Sequence, residues 1–123
     1  MDIFTSSFNK SKGLDPSKYL VVSISRFPPK WFQGVRCFEF APSMQLLNDF
    51  HDGMTQCLYA YRYRYEVLER GDVHKVFEWL AGLSKGRDIV LCCFEPAGRF
   101  CHRRLLADYV KEVWGYSINE LVS

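Results

Sequence analysis

The clearest strand signal in the chain is Asp88-Ile-Val-Leu-Cys-Cys-Phe94, which is apolar after its first residue. A short, continuous apolar run between loop segments is typical of a strand covered on both faces. Tyr19-Leu-Val-Val-Ser-Ile-Ser25 has the same character, and Ile3 to Phe8 and Tyr116 to Leu121 predict two shorter strands. Apolar runs of this kind favour a mainly parallel sheet of about four strands.

Helical patterns lie between these strands. They predict helices over Pro42 to Asp52, over Thr55 to Arg70, after a capping Asp72, and over Cys101 to Trp114. In the second helix, Leu58, Tyr61, Tyr65 and Leu68 recur at spacings of three and four. We therefore expect Tyr61 and Tyr65 on its core face, with their hydroxyls at the rim of a pocket. The chain is predicted to be α/β: one three-layer domain over residues 1–123, with helices flanking the sheet.

Composition excludes several classes of protein. The 123 residues are 48% hydrophobic and 24% charged, with a net charge of +2, so a disordered chain and a strongly cationic tail are both excluded. No run is long enough to span a bilayer, and the N-terminus does not resemble an export signal, so we expect no membrane partner. The five cysteines show no disulfide framework. We expect a cytoplasmic protein with free thiols, whose oligomeric state the sequence does not indicate.

Two charged residues immediately follow the two best strands. Arg26 comes after the first of them and Glu95 after the second. In open parallel sheets, ligands bind beyond the carboxyl ends of the strands. The two charges therefore predict either a structural ion pair or exposed strand ends, or a pocket in which a cation lies beside a carboxylate. Lys30 and Trp31, in the proline-stiffened loop after Arg26, are candidate ligand contacts, with Trp31 suited to stacking on a base.

The last long helix begins with Cys101-His-Arg-Arg104. Unpaired N–H groups and the helix dipole favour an anion there, and Arg103 adds a planar fork for phosphate or carboxylate. A thiol at this position is either a small apolar filler or an activated nucleophile. His102 is expected to point toward the sheet, where it is either a structural hydrogen-bonding group or a catalytic one.

A metal site is not expected. Cys92, Cys93, Cys101 and His102 have suitable ligand types, but adjacent residues of a strand face opposite ways, so Cys92 and Cys93 do not readily share one ion. The chain also lacks the Cys-x-x-Cys pair that is usual in structural zinc sites. We predict neither a metal nor a cofactor.

The motifs resemble the domain-of-unknown-function 488 family. The resemblance is carried by Val90-Leu-Cys-Cys-Phe-Glu95, by Phe100-Cys-His-Arg-Arg104 and by the loop from Arg26 to Trp31, and it extends from about residue 3 to residue 121. The segments Phe40-Ala-Pro42 and Tyr61 to Leu68 are similar to the compact variant of the family, which is found in bacteria and their phages. The Leu-Gly-Gly-type segment of the long form is missing. The resemblance implies a small α/β domain with a site formed by Arg26, Glu95, Cys101, His102 and Arg103.

Three functions fit these residues. The first is an enzyme acting on a nucleotide, nucleoside or nucleic-acid group, with Glu95 as nucleophile or base, Arg26 and Arg103 holding an anion, and His102 orienting or transferring a proton. The second is cysteine chemistry at Cys101. The third is a non-catalytic binder of a nucleotide or other small anion, or a protein that mediates an interaction between phage and host. Binding to nucleic acid also stays open, because tyrosine and arginine alternate from Tyr59 to Tyr65.

Overall fold

The fold is built on a five-stranded sheet in which every pairing is parallel. The computed structural model describes residues 1–95 and 99–121. The sheet has the order β3-β2-β4-β1-β5. Its strands are β1 (Ile3–Ser7), β2 (Tyr19–Ser23), β3 (Val35–Arg36), β4 (Asp88–Cys93) and β5 (Asn119–Glu120).

The apolar character of β4 follows from its central position in the sheet. β4 pairs with β1 on one side and with β2 on the other. Ile89, Leu91 and Cys93 pack into the larger core, whereas Val90 and Cys92 pack into a smaller core on the opposite face. Because both faces are covered, no position of the strand after Asp88 needs a polar side chain. The prediction of a mainly parallel α/β domain is confirmed.

Helices cover the two faces unequally. The larger core is covered by α2 to α5 together with a π-helical turn, whereas the smaller core is closed by Phe8 of α1 and by Phe32. None of the described helices has the length and apolarity needed to cross a membrane. The helices are α1 (Phe8–Ser11), α2 (Met44–His51), α3 (Gln56–Tyr63), the π-helix (Arg64–Glu69), α4 (Val73–Ser84) and α5 (His102–Trp114), with a 3-10 turn at Phe38–Phe40.

The sheet has one more strand than we predicted. β3 is only two residues long, and such a strand leaves no periodic pattern in a sequence. Gly34 precedes it, and a Cβ atom at that position would collide with the carbonyl oxygen of Val21 in β2. The first strand also ends one residue before the predicted Phe8, because Phe8 begins α1, which Ser7 caps through a hydrogen bond from the amide of Lys10.

The prediction that Tyr61 and Tyr65 lie on the core face of the second helix was wrong. Tyr61 and Tyr65 are 67% and 54% exposed, and they stack on each other at the surface. Leu58 is also exposed, whereas Leu68 is buried as predicted. The buried residues before Leu68 are Tyr59 and Tyr63, so the inward spacings are four and then five. The spacing of five falls where α3 continues as the π-helix, whose wider turn shifts the inward stripe by one residue. A strict α-helical period therefore selects the wrong tyrosines.

Candidate functional site

A cavity of about 280 Å³ lies at the carboxyl edge of the sheet. Parallel strands present their carboxyl ends at one edge, so residues distant in sequence meet there. Its wall is mostly apolar, with a few charged and polar groups. The lining residues are Ser25, Arg26, Phe27, Pro42, Leu47, Phe50, Tyr59, Cys93, Phe94, Glu95, Phe100, Cys101 and His102. Four of the residues singled out from the sequence, Arg26, Glu95, Cys101 and His102, thus line one cavity.

Arg26 is held in place through one nitrogen of its guanidinium group, Nε. The chain leaves β2 at Ser23, and Arg26 follows three residues later. Its Nε donates a hydrogen bond to the carbonyl oxygen of Pro42 at 2.8 Å, and its guanidinium carbon lies 5.8 Å from the centre of the Phe38 ring. The part of the chain that the structure describes offers no hydrogen bond to its two terminal nitrogens. The Arg26 guanidinium is therefore positioned and still has donors to offer.

Glu95 lines the same cavity, two residues beyond the end of β4, and it is exposed. Within residues 1–95 and 99–121, no ion pair within 4.0 Å joins its carboxylate to Arg26. The structural ion pair that the sequence left open is therefore not formed, and the two charges share a cavity without neutralising each other at contact distance. Their separation leaves the carboxylate and the guanidinium available for different groups of one ligand.

His102 is buried at the base of the cavity, in the first turn of α5. Its Nε2 lies 2.6 Å from the carbonyl oxygen of Ile24. A carbonyl only accepts, so Nε2 carries the proton and Nδ1 has the free lone pair. Burial lowers the pKa of His102 to about 4, with a smaller lowering from the charge of Arg103, so the ring is neutral at physiological pH. The ring points toward the sheet, as predicted.

The thiol of Cys101 is not free in this structure. Cys101 precedes α5, and its sulfur is bonded to the sulfur of Cys93 at the end of β4. The expectation that all five thiols are free is therefore wrong, because the strand end and the helix start meet at the cavity and bring together two cysteines eight positions apart. Cys37, Cys57 and Cys92 are free. A nucleophilic role for Cys101 stays a prediction that applies to the reduced pair.

Arg103 lies behind the cavity and is not one of its lining residues. Its side chain is 1% exposed. Nε donates to Glu120 at 2.7 Å, and Nη1 donates to the backbone oxygen of Glu95 at 2.6 Å and to the sulfur of Cys93 at 3.0 Å. The guanidinium is thus occupied by groups of the protein itself, and it supports Glu95 and Cys93 from below. The sequence-based expectation that Arg103 contacts a ligand stays untested.

The aromatic wall of the cavity was not found from the sequence. Phe50, Tyr59 and Phe100 pack against one another, with ring centroids 4.7 to 5.8 Å apart. They come from α2, α3 and the segment before α5, so no local pattern connects them. Tyr59 did stand in the tyrosine-rich stretch, but the α-helical period directed attention to Tyr61 and Tyr65, which lie outside the cavity.

Two further predicted contacts are also absent from the wall of this cavity. Trp31 lines a separate groove, where its ring packs edge-on against Phe8 at 6.5 Å and under the Lys12 ammonium group at 4.9 Å. Lys30 is exposed and is not one of the residues lining the cavity. The reason lies in the direction of the loop after Arg26, which turns toward the smaller core, where Phe32 is buried.

Three potential metal ligands come together at the base of the cavity. The sulfur atoms of Cys93 and Cys101 and a ring nitrogen of His102 lie within 4.8 Å of one another, and all three residues are buried. As expected from strand geometry, Cys92 faces the opposite core. Strand geometry separates Cys92 from Cys93, but it does not exclude Cys93, Cys101 and His102 as one ligand set.

Comparison with known proteins gives one match. A family model described as DUF488-N3a, the active DUF488-N3 subclade, matches residues 16–113, which is well over half of the chain. The matched range includes Arg26, Glu95, Cys101 and His102. No curated protein and no solved structure matches the chain.

Proposed function

The chain belongs to the domain-of-unknown-function 488 family, and from this premise we propose that it is an enzyme acting on a nucleoside, a nucleotide or a nucleic-acid group. The observation that carries the proposal is the cavity in which Arg26, Glu95 and His102 meet beside an aromatic wall. The matched subclade is described as active, which favours an enzyme over a binding module.

The size and lining of the cavity support a small ligand with a planar apolar part. Its volume of about 280 Å³ lies just below the range of roughly 300–1,000 Å³ that is typical of ligand pockets, so it suits only a small ligand. Phe50, Tyr59 and Phe100 offer ring faces and edges on which a base packs favourably. A base with its sugar fits these properties better than a dinucleotide does.

The charged groups suit the remainder of such a ligand. The terminal nitrogens of Arg26 donate to a phosphate or another anionic group. The Glu95 carboxylate acts at the sugar carbon that carries the base, either by attacking it or by stabilising the positive charge that develops there. The C–N bond breaks, its electron pair leaves with the base, and water supplies a proton to the base and a hydroxyl group to the sugar. His102 orients the reacting groups from the base of the cavity.

The test is an incubation of the purified chain with labelled nucleosides and nucleotides, followed by mass spectrometry of both ligand and product. We expect turnover by the wild type, loss of turnover with retained ligand binding in Glu95→Gln, and unchanged turnover in the control Glu78→Gln on α4. Turnover that survives in Glu95→Gln would remove Glu95 from the mechanism. Binding without any product would identify a non-catalytic binder, and the absence of both would reject the proposal.

A second candidate is cysteine-dependent chemistry, which is favoured by the Cys93–Cys101 pair in the wall of the same cavity. A cytoplasmic location, in a bacterium or in a cell infected by a phage, belongs to the same proposal, because a reducing compartment would keep both thiols free. Alkylation of the reduced protein with iodoacetamide between pH 5 and 9 tests it. If Cys101 reacts as an ordinary thiol with a pKa of about 8.5, this candidate fails.

A further inference from the structure

We propose that Cys93, Cys101 and His102 bind a zinc ion when the two cysteines are reduced, with the fourth coordination position open to the cavity. Their ligand atoms already lie within 4.8 Å of one another. Two thiolates and one imidazole form a ligand set that zinc accepts, and three protein ligands with one open position are typical of catalytic rather than structural zinc. The inference does not depend on which substrate the cavity takes.

The imidazole of His102 is oriented for this role by its second nitrogen. Nε2 donates its proton to the carbonyl oxygen of Ile24 at 2.6 Å, and Nδ1 is 4.0 Å from the sulfur of Cys101. Histidines that bind metals commonly donate their other N–H to a backbone carbonyl or a carboxylate, which fixes the ring and the tautomer. The Nδ1 lone pair of His102 therefore faces the two sulfurs before any ion arrives.

The sulfur of Cys93 has a cationic hydrogen-bond donor. Nη1 of Arg103 lies 3.0 Å from it, and the rest of that guanidinium is held by Glu120. A buried cation that donates to a sulfur stabilises the thiolate, which is the form that binds metal. Arg103 therefore supports the site without being a ligand, and this accounts for an arginine that is fully buried directly beside the cavity.

The backbone separation of the two cysteines suits an ion between them. Their Cα atoms are 7.4 Å apart, whereas disulfides usually span 4.4–6.8 Å. Two thiolates on one tetrahedral zinc lie about 3.7 Å apart, given Zn–S bonds of about 2.3 Å. Two sulfurs that bind one ion lie farther apart than two bonded sulfurs. An ion between Cys93 and Cys101 therefore suits their Cα separation of 7.4 Å better than a disulfide does. The soft ligands also favour zinc over magnesium or calcium, which prefer oxygen.

Zinc binding and the disulfide exclude each other, because both use the sulfurs of Cys93 and Cys101. The disulfide must therefore be reduced before zinc binds. A phosphine reductant supplies two electrons that break the S–S bond, and water supplies two protons to the sulfurs and the oxygen of the phosphine oxide. Zinc then displaces the two thiol protons as it forms two Zn–S bonds. The oxidised chain is therefore a control for the reduced chain, because in the oxidised form Cys93 and Cys101 have no thiolate for the ion.

The test is a metal titration of the full chain. The chain is reduced with a water-soluble phosphine, freed of metal with a chelator, and titrated with zinc against a chromophoric chelator. We expect one zinc per reduced chain and none per oxidised chain. Cobalt added in place of zinc should produce a thiolate-to-metal charge-transfer band only in the reduced form. If the reduced wild type binds no zinc and shows no such cobalt band, the proposal is wrong.

Substitutions of the proposed ligands test where the zinc ion binds. Cys101→Ala and His102→Gln should each weaken zinc binding by at least about tenfold. Cys92→Ala is the matched control, because Cys92 is the neighbouring buried cysteine of β4 and faces the opposite core. Circular dichroism checks that each variant is folded. Wild-type affinity in Cys101→Ala, or a loss in Cys92→Ala equal to that in Cys101→Ala, would overturn the assignment. If a variant does not fold, the reduced and oxidised wild type still decide.

Discussion

His102 donates its Nε2 proton to the carbonyl oxygen of Ile24, which links the first turn of α5 to the segment that follows β2. This one hydrogen bond fixes the tautomer, the orientation and the depth of the ring. It also connects two parts of the chain that are 78 positions apart in sequence. The position of His102 in the cavity therefore depends on the packing of α5 against the sheet.

The buried His102 should make stability depend on pH. Its pKa falls from 6.5 to about 4 on folding because burial disfavours the charged ring. Between these values the unfolded chain binds a proton that the folded chain does not, so stability is complete above pH 6.5 and is lost as the pH falls toward 4. The expected loss is roughly 3 kcal/mol.

Urea denaturation at a series of pH values, with a chelator present, measures this loss. His102→Gln should flatten the dependence over that interval, whereas His51→Gln, at an exposed position, should leave it unchanged. An unchanged slope in His102→Gln would mean that other groups cause the acid sensitivity.

The ion pair between Arg103 and Glu120 should contribute strongly to stability. Arg103 is 1% exposed, and Nε and Nη2 both donate to the Glu120 carboxylate. Glu120→Gln would leave a buried guanidinium without its counter-charge, so we expect a loss of about 3 kcal/mol in the free energy of unfolding. The control is Glu112→Gln, which removes the exposed partner of Arg64 and should cost much less, because solvent screens that pair. Equal losses would show that burial does not determine the cost.

Tyr63 and Tyr61, both in α3, should differ in how much the loss of the hydroxyl group destabilises the protein. Tyr63 is fully buried and donates to the carbonyl oxygen of Phe40 at 2.7 Å, whereas Tyr61 is 67% exposed. Tyr63→Phe should lower the free energy of unfolding by about 1–2 kcal/mol, because the buried carbonyl loses its donor. Tyr61→Phe should change it by less than about 0.5 kcal/mol. The reverse order, measured by urea denaturation, would contradict the inward stripe described above.

The free cysteines should differ sharply in reactivity. Cys57 is exposed, whereas burial raises the pKa of Cys37 and of Cys92 to about 12. Iodoacetamide at pH 8 without a reductant should therefore label Cys57 alone in the native chain. Mass spectrometry counts the modifications, and Cys57→Ser should remove the single label. Labelling of Cys92 under these conditions would mean that β4 is accessible.

The sequence alone identified the elements whose signals are local. The apolar run of β4, the capping Asp72 and the charged residues after two strands are each readable over a few positions. Asp72 caps α4 through a hydrogen bond from the amide of Lys75, and Gly115 ends α5 with a positive φ, as their residue types predict. The family motifs likewise stand in short segments.

The features that depend on contacts between residues distant in sequence became visible only in the folded structure. The π-helical turn that moves Tyr61 and Tyr65 to the surface is a change of period that residue spacing does not encode. The contact between Cys93 and Cys101 and the aromatic wall of Phe50, Tyr59 and Phe100 join separate elements. Hydrophobic periodicity determines which side of an element is buried, but the groups that meet across a cavity are set by how the elements pack, and that depends on the whole chain.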